Sequence, residues 1–208
     1  MKTFVISALT ANRPHVRNTF LVKFINTILD SFPDCKVVVL LCRKGVMEDK
    51  RVVELEFPSF EKNWIYRIYL FYFRLRNLSK KLNADIWLSY DSVTPWVIAK
   101  NQYTFFHHPA AFYNAPIKTM KYDFKFYLYS KIYFFFIRFL SKKNKAVMVE
   151  SEWIRNIFIK KYNIKSAIVF NLEYVSSTNK IERKKTKLKN FFYPSFPHIY
   201  KNFELLGE

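Results

Sequence analysis

Residues 36–42 read Lys-Val-Val-Val-Leu-Leu-Cys, an apolar run without the every-other-residue alternation of a half-exposed strand. A strand of that kind needs cover on both faces, as in a parallel sheet flanked by helices. The rest of the chain supplies both partners. Strands are predicted at 2–8, 52–57, 85–89, 102–106, 146–150 and 166–170. Helical spacing of apolar residues predicts helices at 16–29, 64–82, 122–143 and 152–162, with Ser151 as the N-cap of the last and a short helix at 95–99. Strands alternating with helices predict an α/β fold with a doubly wound, mostly parallel sheet. In such sheets ligand-binding loops sit at the carboxyl ends of strands. Two strand ends stand out: Tyr90, Asp91, Ser92 and Thr94 after 85–89, and His107, His108 and Pro109 after 102–106.

The chain contains two glycines, Gly45 and Gly207, so no P-loop and no G-x-G-x-x-G motif is present. Two cysteines, Cys35 and Cys42, lie in or beside one strand, and no disulfide or zinc framework surrounds them. His15, His107, His108 and His198 show no metal-ligand spacing, so no metal is expected. The first nine residues are too short an apolar stretch for a secretory signal. The longest apolar runs, 70–73 and 132–137, are bounded by Arg or Lys, whereas a membrane span needs about 20 apolar residues. A cytoplasmic protein is expected.

Charge points to an anionic partner: 35 Lys and Arg against 16 Asp and Glu leave a net charge of +19. No nucleic-acid motif accompanies it, and nucleic acid is not expected as a partner. Instead, 64–82 and 122–143 mix aromatic rings with Arg67, Arg74, Arg76, Lys80, Lys81, Lys125, Lys131, Arg138, Lys142 and Lys143. That mixture suits a helix at an anionic membrane surface. The organisation expected is one α/β domain over 1–175, a basic linker at 176–189, and at 190–208 the first strand and helix start of a second, incomplete domain.

Three segments carry a family resemblance: Asp85-Ile-Trp-Leu-Ser-Tyr-Asp-Ser-Val-Thr-Pro95, Phe105-Phe-His-His-Pro-Ala-Ala-Phe-Tyr113 and Tyr193-Pro-Ser-Phe-Pro-His-Ile-Tyr-Lys-Asn-Phe-Glu204. Together they resemble glycosyltransferase family 4, the retaining GT-B enzymes, in the bacterial branch that builds O-antigen and other surface polysaccharides. The resemblance implies a GT-B-type, Rossmann-like N-terminal domain on the acceptor side. It also implies a metal-free hexosyl transfer from a nucleotide-sugar to a polyprenyl-linked glycan, and a peripheral position on the inner face of the bacterial plasma membrane. The donor pocket, with the family's two glutamates, is expected beyond Glu208.

By the same resemblance His107 meets the donor sugar or its phosphate as the catalytic candidate, and Lys201 is the donor-phosphate lysine. Asp91, with Ser92 and Thr94, is expected to orient an acceptor hydroxyl. Arg13, with His15 and Arg17, makes the first strand-helix loop basic, which suits a lipid diphosphate. The alternative reading is a catalytically inactive remnant or a basic module that binds membrane surfaces.

Overall fold

A computed structural model describes residues 1–11, 21–107 and 115–170, all within the compact unit Met1–Asn171. Seven strands form one sheet: β1 (Lys2–Ser7), β2 (Cys35–Leu41), β3 (Val52–Glu56), β4 (Ala84–Ser89), β5 (Ala99–Phe106), β6 (Ala146–Val149) and β7 (Ala167–Val169). Their order is β3-β2-β1-β4-β5-β6-β7 and every pairing is parallel. The chain therefore builds outward from β1 to β3, returns beside β1 as β4, and then builds the other way to β7. The order reverses between β1 and β4, the topological switch point of a doubly wound fold. The α/β expectation holds, and the sheet is parallel throughout.

Helices α1 (Val22–Ser31), α2 (Ser59–Lys62), α3 (Trp64–Tyr69), α4 (Leu75–Leu82), α5 (Thr119–Tyr122), α6 (Phe124–Leu140) and α7 (Glu152–Tyr162) connect the strands. On one face Val5, Val38, Leu40 and Trp87 pack with Phe57, Phe60, Leu70, Phe71, Tyr72 and Leu75. Further along the sheet, Phe106, Val147 and Val149 pack with Ile137 of α6 and with Ile154, Phe158 and Tyr162 of α7. The alternate residues Phe4, Ile6, Val37 and Val39 are buried too, and Phe4 meets Phe32 just after α1 with ring centroids 5.1 Å apart. Burial of consecutive residues explains why β2 carries no alternation.

The expected long helix at 64–82 is three pieces. Asn63 caps α3 by accepting from Ile65 N at 2.8 Å, and a π-helical turn at Leu70–Arg74 joins α3 to α4. In that turn Leu75 N donates to Leu70 O, five residues back, while Phe71 O accepts from Trp96 N at 2.9 Å. α4 stops at Asn83, whose φ of 44° is left-handed.

The short helix expected at 95–99 is not formed; β5 begins at Ala99 instead. Pro95 has no N–H, Trp96 N is taken by Phe71 O, Ile98 N donates to Ser79 Oγ at 2.9 Å, and Pro95 O accepts from Gln102 Nε2 at 2.9 Å. Neighbouring elements satisfy the backbone polar groups that a helix would have paired internally. Ser151 occupies the N-cap position of α7 with extended backbone, yet its side chain makes no capping bond. Cys35 and Cys42 are both buried free thiols.

Candidate functional site

The switch point places the ends of β1 and β4 side by side, and the residues there are polar although their surroundings are not. Ser7 ends β1, is fully buried, and pairs in register with Ser89 at the end of β4. Two residues further on, Asp91 is 3% exposed and turns its carboxylate back over β1. Oδ2 accepts from Ser7 Oγ, and Oδ1 accepts from Thr10 N at 2.8 Å and from Thr10 Oγ1 at 3.0 Å. Tyr90 N donates to Ser7 O at 2.8 Å, closing the junction. Asp91 thus ties the turn after β1 to the turn after β4.

Burial raises the pKa of Asp91, and the bonds from Ser7, Thr10 and Leu9 lower it by less. A carboxyl held above its ordinary range at a switch point is the pattern of a functional site, here supported by the geometry around it.

The next residue, Ser92, has a φ of 54°, a left-handed conformation that costs a side-chain-bearing residue energy unless the surroundings impose it. The surroundings are His107 and Tyr133. His107 N donates to Ser92 Oγ at 3.1 Å, and the same oxygen lies 3.2 Å from His107 Nδ1. With one lone pair taken by the backbone N–H, the hydroxyl proton can be given to Nδ1. Assigned from that pattern, the neutral ring carries its proton on Nε2 and can donate a hydrogen bond there. Tyr133 of α6 donates to Ser92 O at 3.3 Å. The imidazole also stacks on Tyr90, with centroids 4.8 Å apart and planes at 23°, and beside Phe105 at 5.6 Å. These contacts fix the ring in two directions.

Asp91, Ser92 and His107 are therefore brought together at the carboxyl ends of β4 and β5. Thr94 belongs to a different group. It is 3% exposed, and its hydroxyl lies 3.2 Å from Thr104 Oγ1, 2.9 Å from Ser141 Oγ and 3.1 Å from Asn144 Nδ2. That buried network fastens the segment after β4 to the turn that follows α6. Arg13, His15, Arg17, His108, Lys201, the linker at 176–189 and the segment 190–208 lie outside the described residues.

Tyr90 stands at the strand end that the sequence marks, whereas Ser7, Thr10 and Tyr133 are not among the residues expected in the site. Ser7 leaves a readable mark, a hydroxyl directly after the apolar run at 4–6. Tyr133 leaves none, because it is one ring among many along α6.

Among the described residues no three His, Cys, Asp or Glu side chains come together as a metal site. No helix among them is long and apolar enough to cross a membrane. A cavity of about 450 Å³, lined by Lys100, Gln102, Lys143 and Lys145 among others, lies at the amino end of β5, away from Asp91 and His107.

No protein-family model matches the sequence, and no curated protein matches it. Among solved structures the chain is similar to the crystal structure of a glycosyltransferase from Rickettsia africae ESF-5, with 19% identity and a TM-score of 0.48. The match covers 82% of this chain and 42% of that one, so the chain spans less than half the length of that structure. A likeness of that degree does not bear on activity.

Proposed function

We propose that this chain is the acceptor-side domain of a retaining, GT-B-type glycosyltransferase resembling family 4. The complete enzyme would move a hexosyl group from a nucleotide-sugar to a polyprenyl-linked glycan in bacterial O-antigen, lipopolysaccharide or capsule synthesis. One observation carries the reading. The two strand-end segments that resemble the family, after β4 and after β5, meet through the Ser92 to His107 hydrogen bonds beside the switch point.

In the transfer, the bond from the anomeric carbon to the diphosphate breaks and a bond to the acceptor oxygen forms on the same face. The acceptor proton leaves with the diphosphate. His107, its proton on Nε2, is suited to donate to the oxygen on which charge develops, and a donor fixed in advance spends no energy on reorientation at that moment. Ser92 fixes the ring, and Asp91 fixes the turn after β1, ahead of the expected basic loop that holds Arg13. Arg13 in that loop would meet the acceptor diphosphate, and Lys201 the donor diphosphate.

The test titrates the protein with a polyprenyl-diphosphate saccharide and, in a version that also carries a donor domain, adds nucleotide-sugars labelled in the sugar and counts label in the lipid product. Label transfer that is lost in the His107→Ala variant is expected. No transfer to the lipid from any nucleotide-sugar, together with no binding of the saccharide lipid, would overturn the reading.

A further inference from the structure

Helix α6 is rich in aromatic residues around its whole circumference, and the structure sorts them. The inward side is committed: Ile137 is 2% exposed, Phe136 stacks on Tyr72 with centroids 3.9 Å apart, and Tyr133 reaches Ser92 O. The outward side is exposed among the described residues. Phe124, Phe135 and Phe139 are 57%, 56% and 55% exposed, and their spacings of eleven and four residues put them on one face. Arg138 and Lys142 are exposed in the same stripe. Three phenylalanines on one helix face form an apolar patch that a lone soluble domain has reason to avoid.

Charge identifies the occupant. Between Ile117 and Lys145 the chain carries eight Lys and Arg and a single acid, Asp123, whose carboxylate accepts from Phe126 N at 2.8 Å as the N-cap of α6. Exposed Ile117, Met120 and Tyr122 precede the helix within the same basic segment. An apolar stripe among cations and almost free of acids fits the headgroup and upper acyl region of an anionic bilayer.

The other aromatic helix fits less well. α3 and its π-helical turn also expose Ile65, Tyr69 and Phe73, but the arginines of α3, the turn and α4 make contacts within the protein, exposed though Arg67 and Arg74 are. Arg67 Nε donates to Phe60 O at 2.7 Å, Arg74 lies 5.1 Å over the Phe57 ring, and Arg76 lies 4.2 Å over the Trp96 ring.

We infer that the outward face of α6, with Phe124, Phe135 and Phe139 as anchors and Arg138 and Lys142 as headgroup contacts, lies flat on an anionic lipid bilayer. About 25 Å of helix would rest in the interface. Because the inward face of the same helix holds Ser92 through Tyr133, docking sets the candidate site beside the surface from which a lipid-linked acceptor comes. In that last respect the inference rests on the proposed function.

The test is co-sedimentation of the full chain with phosphatidylcholine vesicles and with phosphatidylcholine–phosphatidylglycerol vesicles, neither containing acceptor. The protein pellets with the anionic vesicles and is released as salt rises. Replacing Phe124, Phe135 and Phe139 together by Ser weakens binding at least about tenfold, as does replacing Arg138 and Lys142 together by Gln, each with an unchanged melting temperature. Replacing Ile65, Tyr69 and Phe73 by Ser leaves binding in place.

Equal pelleting of the phenylalanine variant and the wild type would overturn the inference. So would loss of binding only in the α3 variant, a change from dimer to monomer without any lipid effect, or displacement from vesicles by DNA. Vesicle binding without binding of the diphosphate saccharide would leave the docking face standing and remove the proposed function; saccharide binding without vesicle binding would do the reverse.

Discussion

Ser92 Oγ sits 3.1 Å from the backbone nitrogen of His107 and 3.2 Å from its Nδ1, so one hydroxyl holds both the main chain and the ring of a residue on the neighbouring strand end. The left-handed φ of Ser92 is what aims that hydroxyl. Ser92→Ala keeps the turn and removes the restraint. The ring then samples both tautomers, and turnover by a version that carries the donor domain falls about ten- to hundredfold, the scale for misplacing a group near the chemistry. Nitrogen-15 shifts of the His107 imidazole check the tautomer change independently of activity, and unchanged shifts would remove Ser92 from this part.

In a version that carries the donor domain, His107→Ala lowers the rate of transfer by about two to three orders of magnitude, as for loss of one donor held at a developing charge, with little effect on stability because the ring is only partly buried. Comparing kcat and the urea midpoint of variant and wild type separates the two effects. A variant that transfers sugar at the wild-type rate would reduce His107 to a turn residue.

Asp91 gives a pH signature with a definite sign. Its pKa is raised in the fold by burial, so the protonated carboxyl is the better-accommodated form. Its contribution to stability is complete below the ordinary carboxylate range, near about pH 4, and is lost as pH rises through the raised value. Asp91→Asn carries no such titration. The melting temperature of the Asn variant relative to wild type should therefore climb as pH rises from about 4 to 7. A difference independent of pH would mean that Asp91 titrates as in the unfolded chain.

Much of this architecture is legible in the sequence because its signals are local. The unbroken run in β2 asks for cover on both faces, and the helical spacing of α7 has one solution. The departures come from long-range bonds. Nothing near Pro95 announces that Phe71 O will take the N–H of Trp96, yet that bond and the one from Ile98 N to Ser79 hold the segment extended. Asp91 and His107 were visible as polar residues at strand ends. The partners of Asp91, Ser7 and Thr10, lie more than eighty residues from it, and only the strand order brings them together.

Thr94→Val replaces a hydroxyl by a methyl of similar size inside the network of Thr104, Ser141 and Asn144. Ser141 and Asn144 are then left with fewer partners in a buried position, and the fold loses about 1–3 kcal/mol by chemical denaturation. Acceptor binding at the carboxyl edge should change little. A loss of binding with unchanged stability would place Thr94 in the site after all.

The site at the carboxyl ends of β1, β4 and β5 is proposed to receive a saccharide carried on a lipid diphosphate. Titrating nitrogen-15-labelled protein with a short-chain polyprenyl-diphosphate saccharide and following its amide resonances tests this most directly. Saturable shifts are expected at Thr10, Asp91, Ser92 and His107, abolished when the diphosphate saccharide is replaced by the free polyprenyl alcohol. Shifts confined to the basic cavity at the other end of β5, around Lys100, Lys143 and Lys145, would contradict it.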